Sequence, residues 1–153
     1  MEFQIPVRVY YQDTDAGGVV FHATYLEFFE RARMDWMRSL GCDARELAAR
    51  HRLLFIVRRV QVAYLKPALL DDLLTVSAAV ETLGRAQLTF AQQVRRNGET
   101  LVRASVNVAC AETNSLKPAP FPEVIRASLA VGANPATIKT TEAVQTRRHL
   151  NRV

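Results

Sequence analysis

The sequence predicts an α+β domain in which an antiparallel sheet packs against one long helix. Three observations support this prediction. An early run has the period of an amphipathic helix, four longer runs alternate at every second residue, and short turns join those runs. A chain of 153 residues is long enough for one domain with a single core. We assign residues 1–130 to this domain.

The first elements are a short strand and the long helix. Alternating apolar residues predict a strand over residues 3–11. Between about His22 and Leu40 the apolar side chains fall on one helical face, and Gly41 is predicted to end that helix. A second, shorter helix is predicted from Ala44 to Arg50. The residues of the long apolar face are Tyr25, Phe28, Phe29, Ala32, Trp36 and Leu40.

Four strands are predicted after residue 52. Gly84 separates the second of them from the third, and Asn97-Gly98 predicts a type I′ hairpin before the fourth. We expect the fourth strand to form an open edge of the sheet that requires a partner. Residues 131–153 match neither a strand nor a helix, so we expect a mobile C-terminal tail.

The composition narrows the classes of function. The net charge is +5, but the arginines are scattered and no aromatic residues interleave with them, which favours phosphate-bearing small molecules over nucleic acid. No run of about eighteen apolar residues predicts a membrane span. The N-terminus lacks the pattern of a secretory signal, so we expect a cytoplasmic protein. Cys42 and Cys110 are therefore expected to be free thiols.

The connector between the first strand and the long helix carries the chemistry. Asp15, Gly17 and Gly18 lie in a predicted loop, and His22 falls near the helix start. The N–H groups of a first helical turn have no internal partner and attract negative charge. Alone, Asp15 is as readily a turn or cap residue as a catalytic group. A carboxylate set against such amides is nevertheless what acyl transfer requires.

Other catalytic classes find no support in the sequence. It contains no G-x-S-x-G motif for a serine nucleophile, and neither cysteine has such a context. The three histidines, His22, His51 and His149, are far apart and lack the spacing of metal ligands, so no metal site is predicted. Carboxylate chemistry is what remains.

A family resemblance rests on the segment from Tyr11 to Leu26, QDTDAGGVVFHATY at its centre, and on Phe28 to Arg33, FFERAR. These residues resemble the signature of the hotdog-fold acyl-CoA thioesterases, and most closely the YbgC-type, Tol-Pal-associated branch, which is similar to 4-hydroxybenzoyl-CoA thioesterase. The resemblance spans about residues 3–125. It implies a hotdog fold, an antiparallel sheet wrapped around one long central helix. It also implies thioester hydrolysis without a cofactor, since coenzyme A is part of the substrate.

The resemblance also implies the site residues. Asp15 matches the catalytic carboxylate of the family, and Tyr11 and His22 complete the site. The amide of His22 is expected to polarise the thioester carbonyl. Whether Asp15 attacks that carbonyl or activates water stays open. Phe21 and Gln12 stand where many relatives have tyrosine and glutamate, which changes the polarity of the pocket.

The remaining expectations concern the roles of four cationic residues and the oligomeric state. Arg58, Arg59 and Lys66 are candidates for binding the phosphates of coenzyme A, although each also fits a solvated strand face. Arg33 is expected to form a structural ion pair with a carboxylate of a strand or of a partner subunit. The resemblance implies a homodimer that assembles into a homotetramer, with sites between subunits.

Two other functions remain open for this fold. One is a non-catalytic hotdog adaptor that binds acyl carrier protein or an envelope-associated complex through its basic surface. Its binding would be salt-sensitive and would not depend on Asp15. The other is a dehydratase, which ranks last because the predicted helix face is aromatic and lacks the histidine and carboxylate pair of such enzymes.

Overall fold

The computed structural model describes residues 2–131, so the predicted tail lies outside the described residues from position 132 onward. This part of the chain forms five strands and three helices. In chain order they are β1 (Phe3–Arg8), α1 (Thr24–Ser39), α2 (Ala44–His51), β2 (Leu53–Tyr64), β3 (Leu73–Leu83), β4 (Gln87–Arg96), β5 (Glu99–Glu112) and α3 (Glu123–Val131). A short 3₁₀ turn, Tyr11–Asp13, follows β1.

The five strands form one antiparallel sheet in the order β1-β3-β4-β5-β2. Helix α1 packs on one face of this sheet and contacts β1, β3 and β4. The predicted α+β arrangement is therefore confirmed. The core side chains that α1 contributes are Tyr25, Phe28, Phe29, Ala32, Trp36 and Met37.

The predicted end of the long helix is confirmed. Gly41 has a φ of 76°, a left-handed conformation that favours glycine. Its N–H donates to the Arg38 carbonyl at 3.0 Å, and the Cys42 N–H donates to the Met37 carbonyl at 3.0 Å. This pair of bonds is a Schellman motif, which satisfies carbonyls that the last helical turn leaves without partners. The Asn97-Gly98 hairpin is also confirmed, because both residues have positive φ.

The predicted open edge was wrong. The fourth long strand, β5, lies inside the sheet and pairs with both β4 and β2. Within the described chain, the free edges are β1 and β2. The reason is topological: after α1 the chain returns as β2 on the far side of β5, and local alternation carries no information about that position.

The sequence analysis also missed α3. Its residues Ile125 and Leu129 are buried, four positions apart on one helical face. Pro122 precedes the helix, and Glu123 lies in its first turn, both of which are ordinary start signals. Helix α3 thus includes Val131, one residue past the predicted boundary.

Neither cysteine is bonded to the other among the described residues. Cys42 and Cys110 are both buried and free. Burial raises the pKa of the Cys110 thiol to about 11, so this group stays protonated and unreactive at neutral pH. Over residues 2–131, no helix has the length and apolar character needed to cross a membrane.

Candidate active site

A tight loop from Thr14 to Val20 leads into α1. The Asp15 N–H donates to the Val19 carbonyl at 2.9 Å, and the Gly18 N–H donates back to the Asp15 carbonyl at 3.1 Å. Gly18 has a φ of 78°, which makes this turn possible without strain. The two ends of the loop, Thr14 and Val20, form an isolated antiparallel bridge. The loop therefore has a defined backbone, in which Asp15 directly precedes the turn.

Two neighbouring segments hold this loop in position. The Phe21 N–H donates to the Asp13 carbonyl at 2.9 Å, which ties the two sides of the loop together. The Val20 N–H donates to the Ala68 carbonyl at 2.9 Å, and Val19 bridges to Leu69. The segment between β2 and β3 therefore supports the start of α1 from outside the helix.

Asp72 anchors that supporting segment. Its Oδ2 accepts hydrogen bonds from the Leu69 N–H at 2.8 Å and from the Arg96 guanidinium at 2.6 Å. The pKa of the Asp72 carboxyl is lowered: burial acts to raise it, and these two donors outweigh the burial. The carboxylate is thus the form that the fold stabilises.

The two aspartates of the connector have different roles. Asp13 is buried, and its Oδ2 accepts a hydrogen bond from the Tyr10 N–H at 2.9 Å, which is a structural contact. Asp15 is exposed in this single chain, and its Oδ1 accepts a hydrogen bond from the Gly17 N–H at 2.8 Å. The other oxygen, Oδ2, has no donor within residues 2–131. Asp15 is therefore the carboxylate that remains available for chemistry.

His22 lies two residues before the first residue of α1, near the helix start as predicted. Its ring is exposed and packs beside the Phe21 ring, with 4.4 Å between centroids. Its carbonyl accepts a hydrogen bond from the Tyr64 hydroxyl at 2.8 Å. The backbone N–H groups of His22 and Ala23 have no acceptor in the part of the chain that is described. Two adjacent donors are thus free at the positive end of the helix.

The start of α1 has no side-chain cap. Its N-cap residue is Ala23, whose side chain has no polar atom to accept from the first-turn amides. Thr14, in the connector, also does not cap this helix. Its hydroxyl donates to the Tyr11 carbonyl at 2.9 Å. The N–H groups of His22 and Ala23 are therefore available to an oxygen atom of another molecule.

Tyr11 lies in the 3₁₀ turn, and its side chain is 82% exposed. Across residues 2–131, no hydrogen bond joins the side chains of Tyr11, Asp15 and His22 to one another. The fold brings their backbones into one connector, but it does not form a preassembled triad in the single chain.

Two tyrosines that the sequence analysis did not assign to the site support it. The Tyr25 hydroxyl accepts a hydrogen bond from the Ala68 N–H at 3.1 Å, and burial raises the pKa of Tyr25. The Tyr64 ring lies 5.7 Å from the Tyr25 ring, centroid to centroid. Tyr64 is the last residue of β2, and nothing in the sequence around it indicates a role in the site.

The candidate phosphate ligands divide into two groups. Arg58 and Arg59 are exposed and line a polar cavity of about 440 Å³ on the sheet. A β-bulge between Val57 and Arg59 leaves Arg58 as an extra residue, so two consecutive arginines reach the same cavity. Lys66 forms an ion pair with Glu99 instead. The other residues of the cavity are Gln61, Gln87, Thr89, Ser105 and Asn107.

For Arg33, the expected ion pair with a carboxylate of a strand was wrong, and a pair with a carboxylate of a partner subunit stays a prediction. The Arg33 Nη1 donates to the Oε1 of Gln92 at 2.9 Å, and no carboxylate of residues 2–131 lies within ion-pairing distance. Gln92 is buried, and its Nε2 donates to the carbonyls of Phe29 and Ser77. Burial lowers the pKa of Arg33. A neutral amide thus replaces the expected carboxylate and links α1 to the sheet.

No cluster of three or more histidine, cysteine or acidic side chains suited to a metal ion occurs within residues 2–131. An apolar cavity of about 290 Å³ lies between α1, α2 and the sheet. Met34, Met37 and Phe90 line it, with Glu30 and Arg33 as the charged members. It is lined by the second half of α1 and does not include the connector.

Comparisons with known proteins agree with this architecture. Residues 17–103 match the thioesterase superfamily, a range that begins two residues after Asp15 and includes His22. The acyl-CoA thioesterase YbgC of Haemophilus influenzae is 44% identical over 126 residues, covering 82% of this chain and 93% of that protein. The acyl-CoA thioester hydrolase YbgC of Escherichia coli O157:H7 is 41% identical over 124 residues, covering 80% and 92%.

Solved structures are similar as well. A probable thioesterase from Bartonella henselae has a TM-score of 0.76 and 35% identity, covering 80% of this chain and 100% of that one. A protein described as hypothetical, TT1821 from Thermus thermophilus, has a TM-score of 0.81 and 27% identity, covering 86% and 99%. The sheet wrapped around α1 is thus the hotdog fold, and the predicted resemblance is confirmed. The chain belongs to the thioesterase superfamily, as a thioester hydrolase related to the YbgC proteins.

Proposed function

We propose that this protein hydrolyses the thioester of an acyl-coenzyme A at the connector before α1, with Asp15 as the catalytic carboxylate. The observation that carries the proposal is the pair of free N–H groups of His22 and Ala23 at an uncapped helix start. The loop that presents Asp15 is tied to that start by the hydrogen bond between Phe21 and Asp13. The names of the YbgC relatives support acyl-CoA as the substrate class.

The reaction needs a nucleophile, charge stabilisation and a leaving group. Asp15 either attacks the thioester carbonyl to form a mixed anhydride, which water then hydrolyses, or takes a proton from a water molecule that attacks directly. In both cases negative charge develops on the carbonyl oxygen, and the free amides at the helix start stabilise it. The C–S bond breaks and coenzyme A leaves as a thiolate, so no strong general acid is required. His22 and Tyr11 orient the reacting groups.

The exposure of Asp15 supports an oligomeric enzyme. A thioester site works best when water is excluded around the developing charge, and a single chain leaves Asp15 open to solvent. The edge strand β2 exposes Val57, Val60 and Tyr64, an apolar edge that is suited to pairing with a second copy. We therefore propose a homodimer, assembled further into a homotetramer, in which the partner subunit covers the connector.

The phosphates of coenzyme A are assigned to the cavity that Arg58 and Arg59 line. Neither arginine has a carboxylate partner within the described residues, so their guanidinium groups remain available for a phosphate. Lys66 would first have to leave Glu99, which makes it the weaker candidate. We expect the enzyme to act in the cytoplasm.

The test is acyl-CoA hydrolysis followed with a thiol reagent. Asp15→Asn keeps the shape of the side chain but removes the nucleophile and base, so kcat should fall by at least about 10²-fold. Asp43→Asn is the matched control. It makes the same chemical change at the start of α2, where asparagine caps as well as aspartate, and should leave kcat unchanged.

Normal turnover in Asp15→Asn would contradict the assignment. A wild-type protein that binds acyl carrier protein without hydrolysing any acyl-CoA, with binding unchanged in Asp15→Asn, would favour the adaptor function instead. A panel of short, long and aromatic acyl chains in the same assay identifies the preferred substrate.

A further inference from the structure

The hydrogen bond from Tyr64 to the His22 carbonyl has a consequence for the helix start. Tyr64 lies at the end of the edge strand β2, and its hydroxyl donates to this carbonyl at 2.8 Å. A trans peptide group is planar, with its C=O and N–H pointing in opposite directions. The carbonyl of His22 shares its peptide group with the N–H of Ala23. Holding the carbonyl therefore fixes the direction in which the Ala23 N–H points.

The neighbouring peptide group is held in the same way. The Phe21 carbonyl, which shares a peptide group with the His22 N–H, accepts a hydrogen bond from the Thr24 N–H at 2.9 Å. Two consecutive peptide groups are thus fixed through their carbonyls, while their N–H groups have no acceptor in residues 2–131. A hydrogen bond accepted at the carbonyl also polarises the peptide group and strengthens its N–H as a donor.

We propose that Tyr64 is a positioning residue of the active site, which orients the Ala23 amide so that the oxyanion is bound by two donors, Ala23 and His22. This inference rests on the proposed function and adds to it a residue 42 positions away in the chain. Tyr64 does not touch the reacting atoms. It acts through the peptide group between His22 and Ala23.

The hydroxyl of Tyr64 has little other structural use. The side chain is 49% exposed, and a neutral hydrogen bond at such a position contributes only about 1 kcal/mol to folding. The ring packs against Tyr25, and the backbone of Tyr64 pairs with Val102 of β5. Tyr64→Phe keeps the ring and the pairing and removes only the bond to His22.

The experiment compares Tyr64→Phe with Thr100→Val in the full chain. Thr100 donates its hydroxyl to Gln93 at 2.9 Å on the sheet, so its replacement removes one hydroxyl hydrogen bond outside the connector. Tyr64→Phe should lower kcat about tenfold while KM stays within about twofold, since the bond acts on transition-state charge. Thr100→Val should change neither. In ¹⁵N NMR spectra, Tyr64→Phe should shift the Ala23 amide more than the His22 amide.

The outcomes separate this inference from the proposed function. If Asp15→Asn is inactive and Tyr64→Phe retains full kcat, the inference fails and the function stands. If both variants retain full turnover, both fail. A tenfold loss in Tyr64→Phe that Thr100→Val reproduces, or an unchanged Ala23 resonance, would also overturn the role of Tyr64.

Discussion

Helices α1 and α2 begin in different ways. Helix α2 begins at Asp43, which has extended backbone angles and accepts a hydrogen bond from the Glu46 N–H at 2.8 Å through its Oδ1. Helix α1 begins at Ala23, which has helical angles and no side-chain cap. A cap of this kind stabilises a helix by about 1 kcal/mol. The longer and more buried helix is therefore the one that lacks it.

The opposite end of α1 shows that the missing cap is a local feature. Gly41 and Cys42 donate to the carbonyls of Arg38 and Met37, so this end has the capping bonds that the start lacks. The connector before α1 contains two aspartates, but neither caps the helix. Asp13 accepts from the Tyr10 N–H, and Asp15 accepts from the Gly17 N–H. The start of α1 thus keeps free donors, as the proposed oxyanion site requires, whereas the start of α2 has a side-chain cap that stabilises the helix.

Converting the start of α1 to the type found in α2 should break the proposed site. Ala23→Asp adds a carboxylate where the oxyanion is expected, so kcat should fall by about 10²-fold, the loss seen when one oxyanion donor is removed. Stability should be unchanged or higher by up to about 1 kcal/mol, because a negative charge suits a helix start. Ala23→Asn is the neutral control and should lose much less activity. Equal kcat in Ala23→Asp and wild type would show that this helix start is not the oxyanion site.

The segment that supports the start of α1 should be sensitive to acid. The pKa of Asp72 is lowered in the fold, so its carboxylate contributes stability above its unfolded pKa of about 3.9 and loses it as the pH falls through the folded value. Asp72→Asn should cost about 1.5 kcal/mol at pH 7. In urea unfolding, this difference should shrink as the pH drops below about 4.

The control is Asp35→Asn, which removes an exposed ion pair with Arg38 and should cost less than about 0.5 kcal/mol. A difference between wild type and Asp72→Asn that stays constant from pH 7 to pH 3 would contradict the role of the Asp72 carboxylate.

Two glycines with similar backbone angles allow the effect of strain on stability to be distinguished from an effect on catalysis. Gly18 in the connector and Gly98 in the β4–β5 hairpin have φ values of 78° and 81°, and a Cβ at either would meet no atom within 4 Å. Alanine at either position should therefore cost a similar amount of stability, about 1 kcal/mol. Only Gly18→Ala should lower kcat, severalfold, because Asp15 shares its loop. Chemical denaturation and the hydrolysis assay on both variants check this, and equal kcat in the two would count against the connector as the site.

Local sequence patterns predicted most of the fold because they report which residues face the core. The five strands, the aromatic face of α1 and the stop at Gly41 all follow from periodicity and from glycine. The position of β2 at the sheet edge did not, since strand order depends on contacts between distant segments. Helix α3 carried a readable signal in Glu123, Ile125 and Leu129, and the sequence analysis overlooked it.

The candidate site was predicted in part for a similar reason. The connector places Asp15 and the His22 amide within eight residues of each other, so a local motif could find both. Tyr64 reaches the same place from 42 residues away, and nothing in its own neighbourhood indicates a contact with His22. Arg33 was assigned a carboxylate on charge alone, whereas the fold supplies the buried amide of Gln92. Contacts between elements, unlike those within a motif, require the structure.

The most direct test is a crystal structure with a non-hydrolysable acyl-CoA analogue in which a methylene group replaces the sulfur. We expect the carbonyl oxygen to lie about 2.7–3.1 Å from both the His22 and the Ala23 nitrogen atoms, with the Asp15 carboxylate facing the carbonyl carbon. A carbonyl oxygen bound away from these two amides, with Asp15 turned toward bulk solvent, would contradict it.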